Sequence, residues 1–155
     1  MIPARSDMLA WHYTTGEKFA AIVATGHLMP SGLMVEPPER PVLWFSLNQQ
    51  FEPTARKAAI EGGAYRVLSV EETGRHCGGL VRFGLSPRKL LTGDKLRTRA
   101  HIARPLWAGL CRAGIEQKAD PAHWLGCLDA VPVDRLAIEV MNHAGEWERV
   151  QGAAA

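Results

Sequence analysis

The chain has 155 residues, 46% of them hydrophobic, so it is long enough for one domain with a proper core and too short for two ordinary ones. Its 18 basic and 16 acidic residues leave a net charge of +2, which excludes no class of partner because a small overall charge can hide a local patch. The 3 cysteines lie at wide, unrelated spacings, which argues against a disulfide framework and against a CxxC zinc module.

These features predict a single domain over residues 1–155, with the Ala-rich end, 151–155, frayed. The first residues lack the apolar stretch of about 7 to 15 residues found in secretory signal peptides, and no run approaches the roughly 18 apolar residues that cross a bilayer. The cysteine pattern also suits a reducing compartment. We therefore expect a cytoplasmic protein that does not use a membrane.

The first predicted elements are a strand and a helix. Residues 8–14 (MLAWHYT) are apolar and aromatic, as in a strand. A helix should follow, because Thr14 and Glu17 have the spacing of a capping box and Gly26 stands where a left-handed C-terminal cap is expected. Residues 29–41 hold 4 of the 10 prolines, which predicts a loop.

Strand and helix patterns are mixed in the rest of the chain. Further strands are predicted at 42–47, 65–70, 80–85 and 134–141, the last closing a hairpin with 147–150. Helices are predicted at 53–63 and between Pro105 and Gly114. Because the helices do not alternate regularly with the strands, the pattern favours an α+β fold over a doubly wound parallel sheet.

Polar side chains cluster where the first strand meets the first helix. His12, Tyr13 and Thr14 lie at this junction, where side chains and free backbone N–H groups can contact a ligand, and helix N-termini favour anions. A His beside a Thr cap is also commonly a hydrogen-bonded structural residue. Both interpretations remain open on the residues alone.

A family pattern is visible in the same region. The stretch HYTTGEKFAAIVATGHLMPS, followed by VLWFS, resembles ADP-ribosyltransferase-like proteins, in which a strand ends in His-x-Thr, a helix precedes a Gly-x-Leu turn, and an aromatic-Ser strand follows. DarT-type and RNA 2′-phosphotransferase-type members begin similarly. The resemblance covers residues 9–47. It implies a split β-sandwich of two small antiparallel sheets with flanking helices, and an NAD molecule in the cleft between the sheets.

The resemblance also implies roles for individual residues. His12 and Thr14 would hold the adenine-side ribose of NAD or the neighbouring backbone, with Tyr13 beside them mainly as a strand residue. The aromatic-Ser motif maps onto Trp44, Phe45 and Ser46, so that Ser46 would bond the nicotinamide ribose or amide while an aromatic face flanks the ring. Core packing of Trp44 and Phe45 is an equal alternative, since only alternate side chains of a strand reach the same face.

A carboxylate is needed for any chemistry on NAD. Cleavage of the bond to nicotinamide passes through a cation-like transition state, which a nearby carboxylate stabilises. The Gln-x-Glu or Glu-x-Glu signature of the family is absent here. Glu139 is the best candidate because it is the sole acid in the predicted strand LAIEV, although it could equally be a solvent-facing strand residue. Glu116 and Asp129 are outside candidates.

Basic residues concentrate in the middle of the chain. Between Arg82 and Arg112 there are eight cations and one acid, which predicts positive potential there. Arg82 lies in a predicted strand and would suit a pyrophosphate bidentately, or would be a surface arginine. The cations from Arg88 to Arg104 would meet the phosphates of an acceptor nucleic acid, or form a solvated face.

No metal site is predicted. Thiol and imidazole groups of the kind that zinc prefers are present, but their spacings match no compact zinc module. These side chains are His76, Cys77, Cys111, His123 and Cys127.

The function implied by the resemblance is that of an ADP-ribosyltransferase or an NAD glycohydrolase, with NAD as substrate. The acceptor would be a nucleic acid, a protein, a small molecule or water. Because the carboxylate signature is missing, the alternative is a non-catalytic nucleotide- or nucleic-acid-binding module on the same fold.

Overall fold

A computed structural model describes residues 8–150 of the protein, so the tail predicted at 151–155 lies outside the described residues. Four helices are α1 Gly16–Thr25, α2 Val70–His76, α3 Gly93–Arg99 and α4 Arg104–Glu116. The strands are β1 Ala10–Thr15, β2 His27–Leu28, β3 Leu43–Ser46, β4 Ala58–Glu61, β5 Ala64–Val67, β6 Leu80–Leu85, β7 Leu91–Thr92, β8 Trp124–Cys127, β9 Val131–Pro132, β10 Ala137–Met141 and β11 Trp147–Arg149.

The main sheet has seven strands in the order β11-β10-β6-β1-β3-β8-β7, and all its registered pairs are antiparallel. Two small two-stranded sheets, β2-β9 and β4-β5, accompany it. The predicted α+β class is therefore confirmed. In the range 8–150, no helix combines the length and the apolar composition that crossing a bilayer requires.

Each face of the main sheet carries its own apolar layer. One face packs against Phe19 and Ile22 of α1, and its buried residues include Leu43, Phe45 and Phe83. The opposite face buries Trp11, Tyr13, Phe51, Leu80 and Ala137. A third cluster lies under α3 and α4 and contains Val42, Leu96, Ala100 and Ile102. Since successive strand residues point to opposite faces, neighbours in the sequence of β1 belong to different layers.

Most strongly patterned elements are found where the sequence predicts them. The strands β1, β3, β6, β10 and β11 and the helices α1 and α4 match their predicted segments to within a few residues. Gly26 ends α1 in the left-handed conformation at φ 76°, and its N–H reaches the carbonyls of Ile22 and Val23. Gly114, expected just past the end of α4, lies inside the helix, where the indole of Trp124 occupies the space that a Cβ would need.

The prediction of a helix at 53–63 is wrong. Only a short 3-10 turn, Pro53–Ala55, precedes an antiparallel hairpin of β4 and β5. Gly62 and Gly63 form the two-residue turn, both with positive φ, 57° and 81°, which hairpins favour. The strand predicted at 65–70 is confirmed only in part, because β5 ends at Val67 and α2 begins at Val70.

Candidate functional site

The junction of β1 with its neighbours is asymmetric. β1 pairs with β6 along its whole length, from Ala10 opposite Leu85 to Thr15 opposite Leu80. On its other side it is registered with β3 at one position only, Trp11 opposite Ser46. The ladder between β1 and β3 therefore stops after a single pair. We call the region beyond that pair, bounded by His12 and Trp44, the β1–β3 gap.

His12 spans this gap with its side chain. Its Nδ1 lies 2.7 Å from the backbone oxygen of Trp44, and its ring meets the ring of Phe45 edge-on with centroids 6.0 Å apart. A carbonyl oxygen only accepts hydrogen bonds, so Nδ1 must be the donor and carry the proton. Nε2 makes no hydrogen bond to residues 8–150, and no fully buried side-chain nitrogen or oxygen there lacks a partner. Nε2 therefore has no partner among these residues and is not completely enclosed.

The electrostatics keep this imidazole neutral. Burial lowers the pKa of His12 below its ordinary value of 6.5, and the nearby positive charges of Lys57 and Lys18 lower it further, against the opposing effect of the bond to Trp44. Burial and the charge of Lys18 also lower the pKa of Lys57. At neutral pH, His12 therefore presents an unprotonated acceptor nitrogen in a positive environment.

The start of α1 differs from its prediction. The N-cap is Thr15, no side chain caps the helix, and the capping box of Thr14 with Glu17 is therefore wrong. The first N–H groups instead donate to backbone carbonyls of the turn between α2 and β6, Gly16 to Gly79 at 3.0 Å and Glu17 to Cys77 at 3.1 Å. These groups are already satisfied and are not free for a ligand. Thr14 is buried in the sheet opposite Val81, with 6% of its surface exposed.

A polar row crosses the opposite face of the sheet. Tyr13 on β1 faces Arg82 on β6, Arg82 faces Glu139 on β10, and Glu139 faces Arg149 on β11. Arg82 donates to Oε1 of Glu139 from Nε at 2.9 Å and from Nη2 at 2.5 Å, while Arg149 Nε donates to Oε2 at 3.2 Å. The carboxylate is thus held by two guanidiniums, with 13% of the side chain exposed.

Arg82 is enclosed by aromatic rings and by the loop after β3. Its guanidinium carbon lies 3.9 Å from the ring centroid of Trp11 and 4.5 Å from that of Trp147. Nη1 donates to the backbone oxygen of Gln49 at 2.6 Å and to the hydroxyl of Tyr13 at 3.3 Å. With 8% of its side chain exposed, Arg82 presents no free donor pair at the surface.

Tyr13 completes this enclosure. Its hydroxyl donates to the backbone oxygen of Asn48, in the same loop that accepts from Arg82. Burial raises the pKa of Tyr13 to about 12, although the charge of Arg82 acts in the opposite direction. The phenol is therefore a protonated donor throughout the physiological range, and it helps to fix the loop on the sheet.

Ser46 contacts a carboxylate that the sequence did not single out. Its hydroxyl donates to Oε2 of Glu52 at 2.7 Å, and the indole of Trp124 donates to Oε1 at 3.1 Å. Thr54 adds a further bond to Oε1 at 2.7 Å. Glu52 is 7% exposed. The Glu-Pro step before the 3-10 turn was the available signal, because an acid preceding a helical turn commonly caps it.

The side chains of the remaining candidates take no part in the hydrogen bonds of His12, of the polar row or of Glu52. Trp44 is half-buried between Trp107 and Trp124, with ring centroids 6.1 Å away in each case, which is the core packing considered as its alternative role. Glu116 is exposed in the last turn of α4, and Asp129 borders a surface depression near β9. Within the described part of the chain, no three His, Cys, Asp or Glu side chains gather as a metal site would require.

The predicted site residues fall on two sides of one sheet. His12 faces Phe83, which faces Ile138, and this row packs under α1. Tyr13, Arg82 and Glu139 form the neighbouring row, which points the other way. The structure therefore brings Arg82 and Glu139 together and separates both of them from His12.

No family model, curated protein or solved structure matches this chain.

Proposed function

We propose that the protein binds NAD at the β1–β3 gap, as a member of the ADP-ribosyltransferase-like group. Support for the split-sandwich architecture comes from the single pair, Trp11 with Ser46, that joins β11-β10-β6-β1 to β3-β8-β7. One registered pair is a weak link between a four-stranded unit and a three-stranded unit. A dinucleotide between two such units would lie against the part of β1 beyond this pair, beside His12.

The observation that carries the proposal is the state of His12. Its Nδ1 is committed to Trp44, so Nε2 is the free atom, and the neutral ring can only accept through it. A ribose hydroxyl is a matching donor. The same chemistry excludes a phosphate oxygen as the partner of Nε2, because both atoms would be acceptors.

The lysines supply the complementary contact. Lys18 and Lys57 both act electrostatically on His12, and neither forms an ion pair with any of residues 8–150. Two cations beside a hydroxyl acceptor match a ligand that carries phosphate next to ribose. The adenosine diphosphate part of NAD has this arrangement, with net negative charge to balance the lysines.

The geometry favours binding over ADP-ribosyl transfer. Glu139 would have to approach the nicotinamide ribose, yet it belongs to the row opposite His12, and both of its oxygens accept from guanidiniums. Glu52, the other buried carboxylate, is likewise occupied by Ser46 and Trp124. We therefore propose a nucleotide-binding protein, with NAD cleavage as the competing outcome of the test.

The experiment is calorimetric titration of the purified protein with NAD, ADP-ribose and nicotinamide mononucleotide, together with an assay for released nicotinamide. We expect NAD and ADP-ribose to bind and nicotinamide mononucleotide to bind more weakly, since it lacks the adenosine half. His12→Ala should weaken NAD binding about fivefold, the value of one hydrogen bond of about 1 kcal/mol. Lys57→Gln should weaken it most at low salt.

Two controls keep the outcome interpretable. His12→Gln retains an amide donor for Trp44, so it separates loss of the acceptor from loss of the fold, and Lys118→Gln removes an exposed cation at the end of α4. Unchanged NAD affinity in folded His12→Ala would overturn the proposal, as would no binding at millimolar NAD. Nicotinamide release by the wild-type protein would establish the enzyme instead, and its loss in Glu139→Gln would assign the carboxylate only where that variant is shown to be folded.

A further inference from the structure

Positive charge is concentrated in one continuous part of this protein. Residues 88–112 contain seven Lys and Arg and one acid, a net charge of +6. The whole chain has a net charge of +2, so everything outside this segment carries a net charge of −4. The distribution is therefore strongly polarised, which the small overall charge conceals.

Six of these seven cations are exposed and uncompensated. Arg97 is the exception, since it lies along α3 and pairs with Asp94 at 2.9 Å. The others form no ion pair and no side-chain hydrogen bond with the residues that the structure describes. We call them the basic surface; they are Arg88, Lys89, Lys95, Arg99, Arg104 and Arg112.

The fold places this surface on consecutive elements at one end of the sheet. Arg88 and Lys89 lie in the 3-10 turn directly before the edge strand β7, and α3 follows that strand. Lys95 and Arg99 are four residues apart, so they share one side of α3. The helices α3 and α4 contribute to the same apolar cluster, through Leu96 and Trp107.

A shallow depression next to the basic surface is also lined by cations. It has a volume of about 200 Å³ and is lined by Lys89 and by Arg135, which precedes β10 and is also exposed. Asp129 and Cys127 lie in the same depression, so it contains one carboxylate beside the two cations. Arg135 is distant from Lys89 in the sequence but adds a second cation to the same depression.

We propose that the basic surface binds the phosphate backbone of a nucleic acid duplex, independently of any ligand at the β1–β3 gap. Four of its six cations are arginines, whose planar donor forks match phosphate oxygens. Trp107, the tryptophan of this segment, stacks on Trp44 with centroids 6.1 Å apart and is occupied in the core. Without an aromatic platform for bases, backbone contacts to a duplex are favoured over single-strand binding.

The test is fluorescence anisotropy with a labelled DNA duplex of about 20 base pairs, and with a single strand of the same length, in the absence of NAD. If four phosphates are contacted, the duplex affinity should fall about 100-fold between about 50 and 200 mM salt. Arg99→Gln should reduce the slope of log affinity against log salt by about one. Arg75→Gln, an exposed arginine in the last turn of α2, is the matched control and should leave the slope unchanged.

The combined replacement of Lys95, Arg99, Arg104 and Arg112 by Gln should abolish binding while leaving the thermal unfolding curve in place, because all four side chains are exposed. Duplex binding that survives this replacement would overturn the proposal, and so would no binding at low salt. Vesicles containing phosphatidylserine form the second arm, and binding to them without binding to DNA would assign the surface to a membrane instead. None of these outcomes depends on NAD binding.

Discussion

Arg82 on β6 and Glu139 on β10 are direct cross-strand neighbours, and their side chains form an ion pair with Nη2 and Oε1 2.5 Å apart. They are 57 positions apart in the sequence, so only the pairing of β6 with β10 makes them partners. Because Arg149 takes the second oxygen of Glu139, the carboxylate links three adjacent strands. Removing this carboxylate therefore affects β6, β10 and β11 together.

Glu139→Gln should destabilise the protein by about 3 kcal/mol, because it leaves the buried charge of Arg82 without its counter-charge. Chemical denaturation followed by tryptophan fluorescence would measure this loss. Glu61→Gln is the matched control, since Glu61 also bonds an arginine, Arg66, across a strand pair but at an exposed position. We expect little effect there. Equal effects of the two replacements would contradict a structural role for the row.

His12 should make the protein less stable in mild acid. Its folded pKa lies below the ordinary value of 6.5, so as the pH falls through that value the unfolded chain takes up a proton that the folded protein resists. Stability is therefore lost progressively below about pH 6.5, and none of this loss is expected above pH 7. Urea unfolding at pH 7 and pH 5 should show a smaller difference for His12→Gln than for the wild type. His143→Gln removes an exposed histidine from the β10–β11 turn and serves as the control.

Gly84→Ala should cost about 2 kcal/mol, as overpacking of a filled core does. A Cβ at Gly84 would lie 2.6 Å from the Trp11 ring and 2.9 Å from Leu9, and the guanidinium of Arg82 packs on the Trp11 ring. Gly32→Ala, in the loop before β3, meets only Pro41 at 3.9 Å and should change stability by less than about 0.5 kcal/mol. Thermal unfolding of both variants would check this, and a mild effect at Gly84 would mean that Trp11 has room to move.

Glu52→Ala should destabilise the protein by about 3 kcal/mol, since it leaves the Ser46 hydroxyl and the Trp124 indole without an acceptor. Ser46→Ala should cost only about 1 kcal/mol, because Glu52 keeps its bonds from Trp124 and Thr54. Denaturant midpoints of the two variants give the comparison. The reverse order would show that Ser46, and not the carboxylate, organises this group.

Local patterns in the sequence were sufficient for the elements that bury one continuous apolar face. β10 was predicted from its alternation, and α1 from its apolar spacing and from Gly26. The segment 53–63 misled because Ala, Lys and Glu suit a helix, while the hairpin depends on the turn at Gly62 and Gly63 and on the bonds of Arg66 to Glu61 and Glu72. Arg66 and Glu72 lie outside the segment, so its own residues did not reveal these bonds.

The capping of α1 shows the same limit at the scale of a few residues. Thr14 and Glu17 have the right spacing, yet Thr14 belongs to the strand, and the helix is capped by the carbonyls of Cys77 and Gly79. The spacing of Thr14 and Glu17 shows only which residues are close along the chain, and it does not reveal carbonyls that approach from elsewhere in the fold. A capping box occurs instead at Ser69 with Glu72, where each side chain accepts from the other residue's backbone N–H.

The sequence by itself determined the α+β class, the presence of His12 in the first strand, and the concentration of cations between Arg88 and Arg112, since composition and periodicity are local properties. Only the tertiary structure decided that Tyr13, Arg82 and Glu139 share a row and that His12 faces away from them. The physical reason is strand register: side chains alternate between faces, so one residue of pairing decides which distant groups meet.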